Sequence, residues 1–94
     1  MTARFETSVG SPEMQARYCF QRTCEFARGI QREASDVKRL IVEVSRREHC
    51  DAVRRVRQGV LGPQAHGVVS TRVSRLPPGE FVRVTAEFER HTRP

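Results

Sequence analysis

Five arginines crowd the stretch from 46 to 57: Arg46, Arg47, Arg54, Arg55 and Arg57, with only Glu48 and Asp51 as acids among them. A guanidinium is a planar fork that pairs bidentately with phosphate or carboxylate. Such a cluster can neutralise backbone phosphates, release their condensed counterions and so bind nucleic acid in a salt-sensitive way without reading its sequence. The same spacing also fits a solvated helix face with internal ion pairs, Glu48 with Arg55, or Asp51 with Arg54 and Arg55. Both readings stay open on the sequence. A second group is Arg72, Phe81 and Arg83, with Arg39, because single-strand binders combine cationic grooves with aromatic platforms. One phenylalanine is a small platform, and the sequence favours a self-association patch of Ile41 and Phe81 as the use of that surface. Tyr18 and Met14, one turn apart on the polar side of a helix, are a third candidate contact for a partner.

Sulfur and imidazole offer less. Cys19, Cys24 and Cys50 are an odd set without a C-x-x-C, which argues against a disulfide framework and for a reducing compartment. At helical spacing Cys19 and Cys24 point about 140° apart, and His49 and Cys50 diverge as neighbours, so neither pair converges on a metal. No phosphate-cradling glycine loop, G-x-S-x-G, H-E-x-x-H or suggestively spaced carboxylate pair occurs. His66 and His91 fall in a loop and a tail. The expectation is a chain without catalysis, cofactor or metal.

The elements that position these groups follow from periodicity. Residues 3–9 alternate, with Ala3, Phe5, Thr7 and Val9 on one side, as in a half-buried strand closed by Gly10. Ser11 then caps a helix that opens on Pro12. It runs to about residue 33 and buries Ala16, Cys19, Phe20, Thr23, Phe26, Ala27 and Ile30. Residues 37–44 fit both templates, and their β-branched density predicts a strand. Ser45 and Glu48 have capping-box spacing and predict a second helix from about 46 to 58, with Gly59 as its left-handed cap. Two alternating runs, 68–75 and 81–90, flank Leu76-Pro77-Pro78-Gly79-Glu80 and predict a hairpin. Residues 91–94 are expected to fray. Val69, Thr71 and Val73, with Val82, Val84, Ala86 and Phe88, are expected to face the helices. The predicted fold is α+β: one domain over 1–94, a two-layer sandwich of order β-α-β-α-β-β, with two helices on one face of a four-stranded mixed sheet and a C-terminal hairpin.

Ninety-four residues with 37% apolar and 30% charged side chains make one thin core. The net charge of +6 rests on seventeen basic side chains, all arginine except Lys38, a bias that a GC-rich genome would also produce. No apolar run is long enough to span a membrane, and the N-terminus lacks a secretory signal, so a cytoplasmic protein is expected. The element order resembles that of Alba-type nucleic-acid proteins, the C-terminal domain of translation initiation factor three, and TusA-like sulfur carriers. The sulfur carriers' Cys-Pro-x-Pro is replaced by Ser11-Pro12-Glu13-Met14, and the Alba-type paired lysines have no counterpart around Gly10 to Glu13. The functional expectation is a non-catalytic module for an acidic partner, RNA or DNA backbone first. The alternative is an accessory factor (subunit, virion component or inhibitor, for example of a CRISPR-type assembly) docking an acidic protein surface. A homodimer through the open sheet face is the expected self-contact.

Overall fold

The computed structural model describes residues 1–32, 36–62 and 67–88. Strand β1 (Thr2–Glu6) leads to helix α1 (Pro12–Gly29) and strand β2 (Val37–Val44). A 3₁₀ turn (Arg47–His49) precedes helix α2 (Cys50–Leu61), and strands β3 (Val68–Val73) and β4 (Val82–Phe88) complete the elements among the described residues. Helix α1 begins as its residues dictate: the Ser11 hydroxyl accepts from the Met14 N–H at 3.2 Å, and Pro12 takes the first helical position, where no N–H is needed. The expected tail at 91–94, His66 and His91 lie outside the described residues.

The strands make one mixed sheet in the order β1-β4-β2-β3. Strand β4 is antiparallel to both β1 and β2, and β2 is parallel to β3, so β1, β2 and β3 all run the same way. Two helices on a four-stranded mixed sheet is the predicted architecture. The last two strands do run antiparallel, yet they are not sheet neighbours, because β2 lies between them. The physical reason is burial. Val82, Val84, Ala86 and Phe88 are all buried on the helix side, which suits a strand flanked on both edges, whereas Val68–Val73 is exposed at most positions and suits an edge. The connection from β3 to β4 crosses the end of β2, with the Ser74 N–H on Val44 O at 2.9 Å and the Ser45 N–H on Phe81 O at 3.0 Å.

Between sheet and helices lie Ala16, Cys19, Phe20 and Ala27 of α1, Val53 and Leu61 of α2, and Leu40, Val42, Val44, Val82, Val84, Ala86 and Phe88 of the sheet. Phe26 bridges the layers, edge-on to Phe5 at 6.0 Å and tilted against Phe88 at 5.5 Å. Helix α1 stops at Gly29, before the expected 33, and Gln31 turns the chain with φ 60°. Helix α2 departs from expectation at both ends. Ser45 and Glu48 form no capping box, and the chain makes a 3₁₀ turn before helix proper. Gly59 stays helical because Val60 and Leu61 continue the apolar stripe into the core, and Gly62, at φ 72°, follows the helix instead.

Candidate functional site

Strand register, rather than chain proximity, assembles the most chemically loaded feature of the molecule. On the face away from the helices, Glu6 of β1 stands opposite Arg83 of β4, Arg83 opposite Glu43 of β2, and Glu43 opposite Arg72 of β3. The result is a row of alternating charge across all four strands. It lies at the carboxyl ends of the three parallel strands, where open sheets most readily bind ligands. Arg83 Nε is 2.8 Å from Glu6 Oε2, Arg72 is 3.8 Å from Glu43, and Arg4 reaches Glu6 at 3.7 Å.

Glu80, just ahead of β4, adds a third carboxylate, with Oε1 3.8 Å from the Arg83 guanidinium. Its side chain is only 11% exposed and that of Arg83 20%. Among the described residues Glu80 Oε1 has no hydrogen-bond partner, and Arg83 Nε, although close to Glu6, does not aim its N–H along that line. A buried carboxylate oxygen without a donor is costly in a structural role and ordinary where a ligand hydroxyl or water completes it. Glu80 is held in place from behind. Buried Gln15 donates Nε2 to Gly79 O at 2.7 Å and Gly10 O at 3.1 Å, while its Oε1 accepts from the Phe81 N–H at 2.7 Å. Both neighbours of Glu80 are thus tied to the first turn of α1.

The other sequence candidates scatter. Arg46 and Arg47 precede α2, Arg54 and Arg55 are exposed on it, and Arg57 is half-buried. Arg46 pairs with Glu48 at 3.6 Å and Arg54 with Asp51 at 4.0 Å, so part of the cluster is internally compensated. Phe81 is no open platform: half-buried, it packs against the core and meets the His49 ring edge-on at 5.8 Å. Tyr18 and Met14 are exposed on α1, as expected. Arg72 and Arg83 alone among the candidates join the row. Glu6, Glu43, Glu80 and Gln15 were missed. A signal existed in Glu43 interrupting the apolar run of β2, but its partners lie in other strands.

The thiols are quiet. Cys19 is buried and donates to Phe5 O at 3.4 Å, and burial, then the charges of Glu6 and Glu80, push its thiol up to about 12. Cys24 is also raised, chiefly by burial. Because an unfolded thiol ionises near 9.0, the folded state binds the proton more tightly. Its stabilisation is full below that value and lost as pH rises through the window from about 9 to 12. Thermal melts from pH 8 to 11 are expected to show a midpoint falling less steeply in Cys19→Ala than in the parent chain. Among the described residues no three His, Cys, Asp or Glu side chains gather to hold a metal, and no helix is long and apolar enough to cross a membrane.

With this geometry in view, solved structures provide the comparison. The chain is similar to a Mycobacterium tuberculosis member of the YjgF/YER057c/UK114 family at 21% identity and TM-score 0.78, covering 89% of this chain and 72% of that one. A Klebsiella pneumoniae structure described as a "putative endoribonuclease" matches at 21% identity and TM-score 0.72, over 82% and 58% of the two chains. A Salmonella typhimurium "putative translation initiation inhibitor" matches at 13% identity and TM-score 0.80, over 90% and 75%. No family model and no curated protein matches the sequence, so the likeness is one of fold. It corrects the functional expectation. The fold is shared with a YjgF-family member and with proteins described as a "putative endoribonuclease" or a "putative translation initiation inhibitor", which overturns the expectation of a non-catalytic module for a nucleic-acid backbone or an acidic protein surface.

Proposed function

We propose that this chain is a YjgF-type domain that cleaves RNA, with Glu80 as the base and Arg83 as the phosphate-facing cation. The observation that carries the reading is the buried, donorless Glu80 oxygen 3.8 Å from the Arg83 guanidinium at the carboxyl end of the sheet. Neighbours described as a "putative endoribonuclease" suggest the substrate class. Glu80 takes the proton of a ribose 2′-hydroxyl, and the freed oxygen attacks the adjacent phosphorus as the bond to the 5′-oxygen breaks. Solvent supplies a proton to the departing oxygen, and Glu80 returns its own to solvent. The products are a 2′,3′-cyclic phosphate and a 5′-hydroxyl, with no cofactor consumed. Arg83 stabilises the charge that builds on the phosphoryl oxygens. Arg4 and Arg72, each more than half exposed, are free enough to reach flanking phosphates.

The chemistry requires the 2′-hydroxyl, which gives a direct test. Purified protein is expected to shorten a single-stranded RNA, leaving cyclic-phosphate ends, and to leave the DNA of the same sequence intact. Intact RNA at stoichiometric protein, or equal cutting of both strands, would reject the reading.

A further inference from the structure

Arg83 is one cation between two carboxylates, and it sits closer to the one that the proposed chemistry does not use. Its Nε is 2.8 Å from Glu6 Oε2, whereas its Nη2 is 3.8 Å from Glu80 Oε1. Register explains the first distance. Glu6, the last residue of β1, stands directly opposite Arg83 of β4, and opposite charges facing each other across a strand pair attract. Glu80 lies three residues earlier in the chain, ahead of the strand, with both of its neighbours tied to Gln15. The two carboxylates nonetheless act on one buried group: after burial, their charges are the next causes that push the Cys19 thiol up to about 12. The pairing is lopsided. Glu80 is the more buried acid, 11% exposed against 37% for Glu6, and an ion pair at lower dielectric is stronger at equal distance. Among the described residues its Oε1 has no donor, and Arg83 Nε has no acceptor. Left to themselves, two such groups close on each other, so a gap of 3.8 Å needs a competitor. Glu6 supplies it.

We infer that Glu6 is a positioning residue of this site: by holding Arg83 from β1 it keeps the guanidinium off Glu80, leaving one group free to meet phosphate and the other free to take a proton. Without the Glu6 charge the guanidinium turns to Glu80, and the two form a charge-assisted hydrogen bond. The chain then stays folded with both groups satisfied and neither available. Glu43, the other acid opposite Arg83 across the sheet, does not share this role, because its carboxylate is engaged by Arg72 at 3.8 Å. The division of Arg83 between Glu6 and Glu80 stands on the geometry alone. Its consequence for catalysis rests on the RNA reading.

Double-mutant cycles test the two parts separately. Glu80→Gln and Arg83→Met, alone and together, give the coupling between Glu80 and Arg83 from urea titration, first in the parent chain and then in a Glu6→Gln background. Glu6 is partly exposed at a strand end, so the Glu6→Gln chain is expected to fold. Expressed as a factor in the folding equilibrium constant, the coupling is expected to be at least about tenfold larger in that background, because a contact is made where there was a gap. In a Glu43→Gln background it is expected to stay within about threefold of the parent value. On RNA, Glu6→Gln is expected to lower kcat at least about tenfold and to change KM less, as for an interaction made in the transition state. An unchanged coupling in the Glu6→Gln background overturns the inference whether or not RNA is cut. So does an equal rise in the Glu43→Gln background, or a kcat within about threefold of an active parent. A rise confined to Glu6→Gln, with RNA left intact by the parent, upholds the hold of Glu6 on Arg83 and removes the RNA reading instead.

Discussion

Glu80→Gln is expected to lower RNA cleavage by about 10²- to 10⁴-fold, the range in which a positioned general base contributes. The substitution keeps the shape of the side chain and removes its negative charge, which faces Arg83, together with its capacity to take a proton. Folding is expected to be little changed or slightly improved, because an amide tolerates the half-empty site better than a carboxylate whose oxygen has no donor. The measurement is the single-turnover rate on a labelled RNA beside the thermal midpoint. Loss of rate with an unchanged midpoint supports the assignment of Glu80 as base. A rate within threefold of the parent removes Glu80 from the mechanism.

Gln15→Leu is expected to cost about 2–5 kcal/mol of stability. Gln15 is fully buried and makes three hydrogen bonds, to Gly10 O, Gly79 O and from the Phe81 N–H. Leucine fills the space and leaves those backbone groups without partners, at about 1–3 kcal/mol for each buried group that water cannot reach. Urea titration checks the size. The same substitution frees the Gly79-Glu80-Phe81 segment, so it also tests Gln15 as a positioning residue. At low temperature, where the variant remains folded, the cleavage rate is expected to fall while RNA affinity changes less. A loss of stability below about 1 kcal/mol would mean that the buried bonds are replaced by water.

Local rules carried the sequence a long way where an element is decided by its own residues. Ser11-Pro12 and the stripe through Ala16, Cys19, Phe20, Thr23 and Ala27 suffice for α1, and the β-branched density of 37–44 suffices for β2. They failed where neighbours decide. Gly59 looks like a helix end in isolation, but the burial of Leu61 carries α2 past it. Leu76-Pro77-Pro78-Gly79-Glu80 looks like a hairpin turn, but the unbroken burial of one face of β4 draws that strand between β1 and β2.

The candidate site was less legible for the same reason. Arg72 and Arg83 were visible as cations on the open face, whereas Glu6, Glu43 and Glu80 acquire meaning only once the register sets them against those arginines. Density of charge along the chain drew attention to Arg46, Arg47, Arg54, Arg55 and Arg57, of which the first two precede α2, Arg54 and Arg55 are exposed on it and Arg57 is half-buried. The proposed site lies where opposite charges are packed under partial burial, a property of pairing across strands separated by tens of residues.

The most direct test of RNA cleavage by Glu80 and Arg83 is a DNA strand carrying one ribonucleotide, labelled at its 5′ end and incubated with the parent chain, Glu80→Gln and Arg83→Ala. The account predicts one cut, immediately 3′ of the lone ribose, ending in a 2′,3′-cyclic phosphate, made by the parent and lost in both variants. An uncut strand, a cut elsewhere, or the same cut from all three proteins would contradict it.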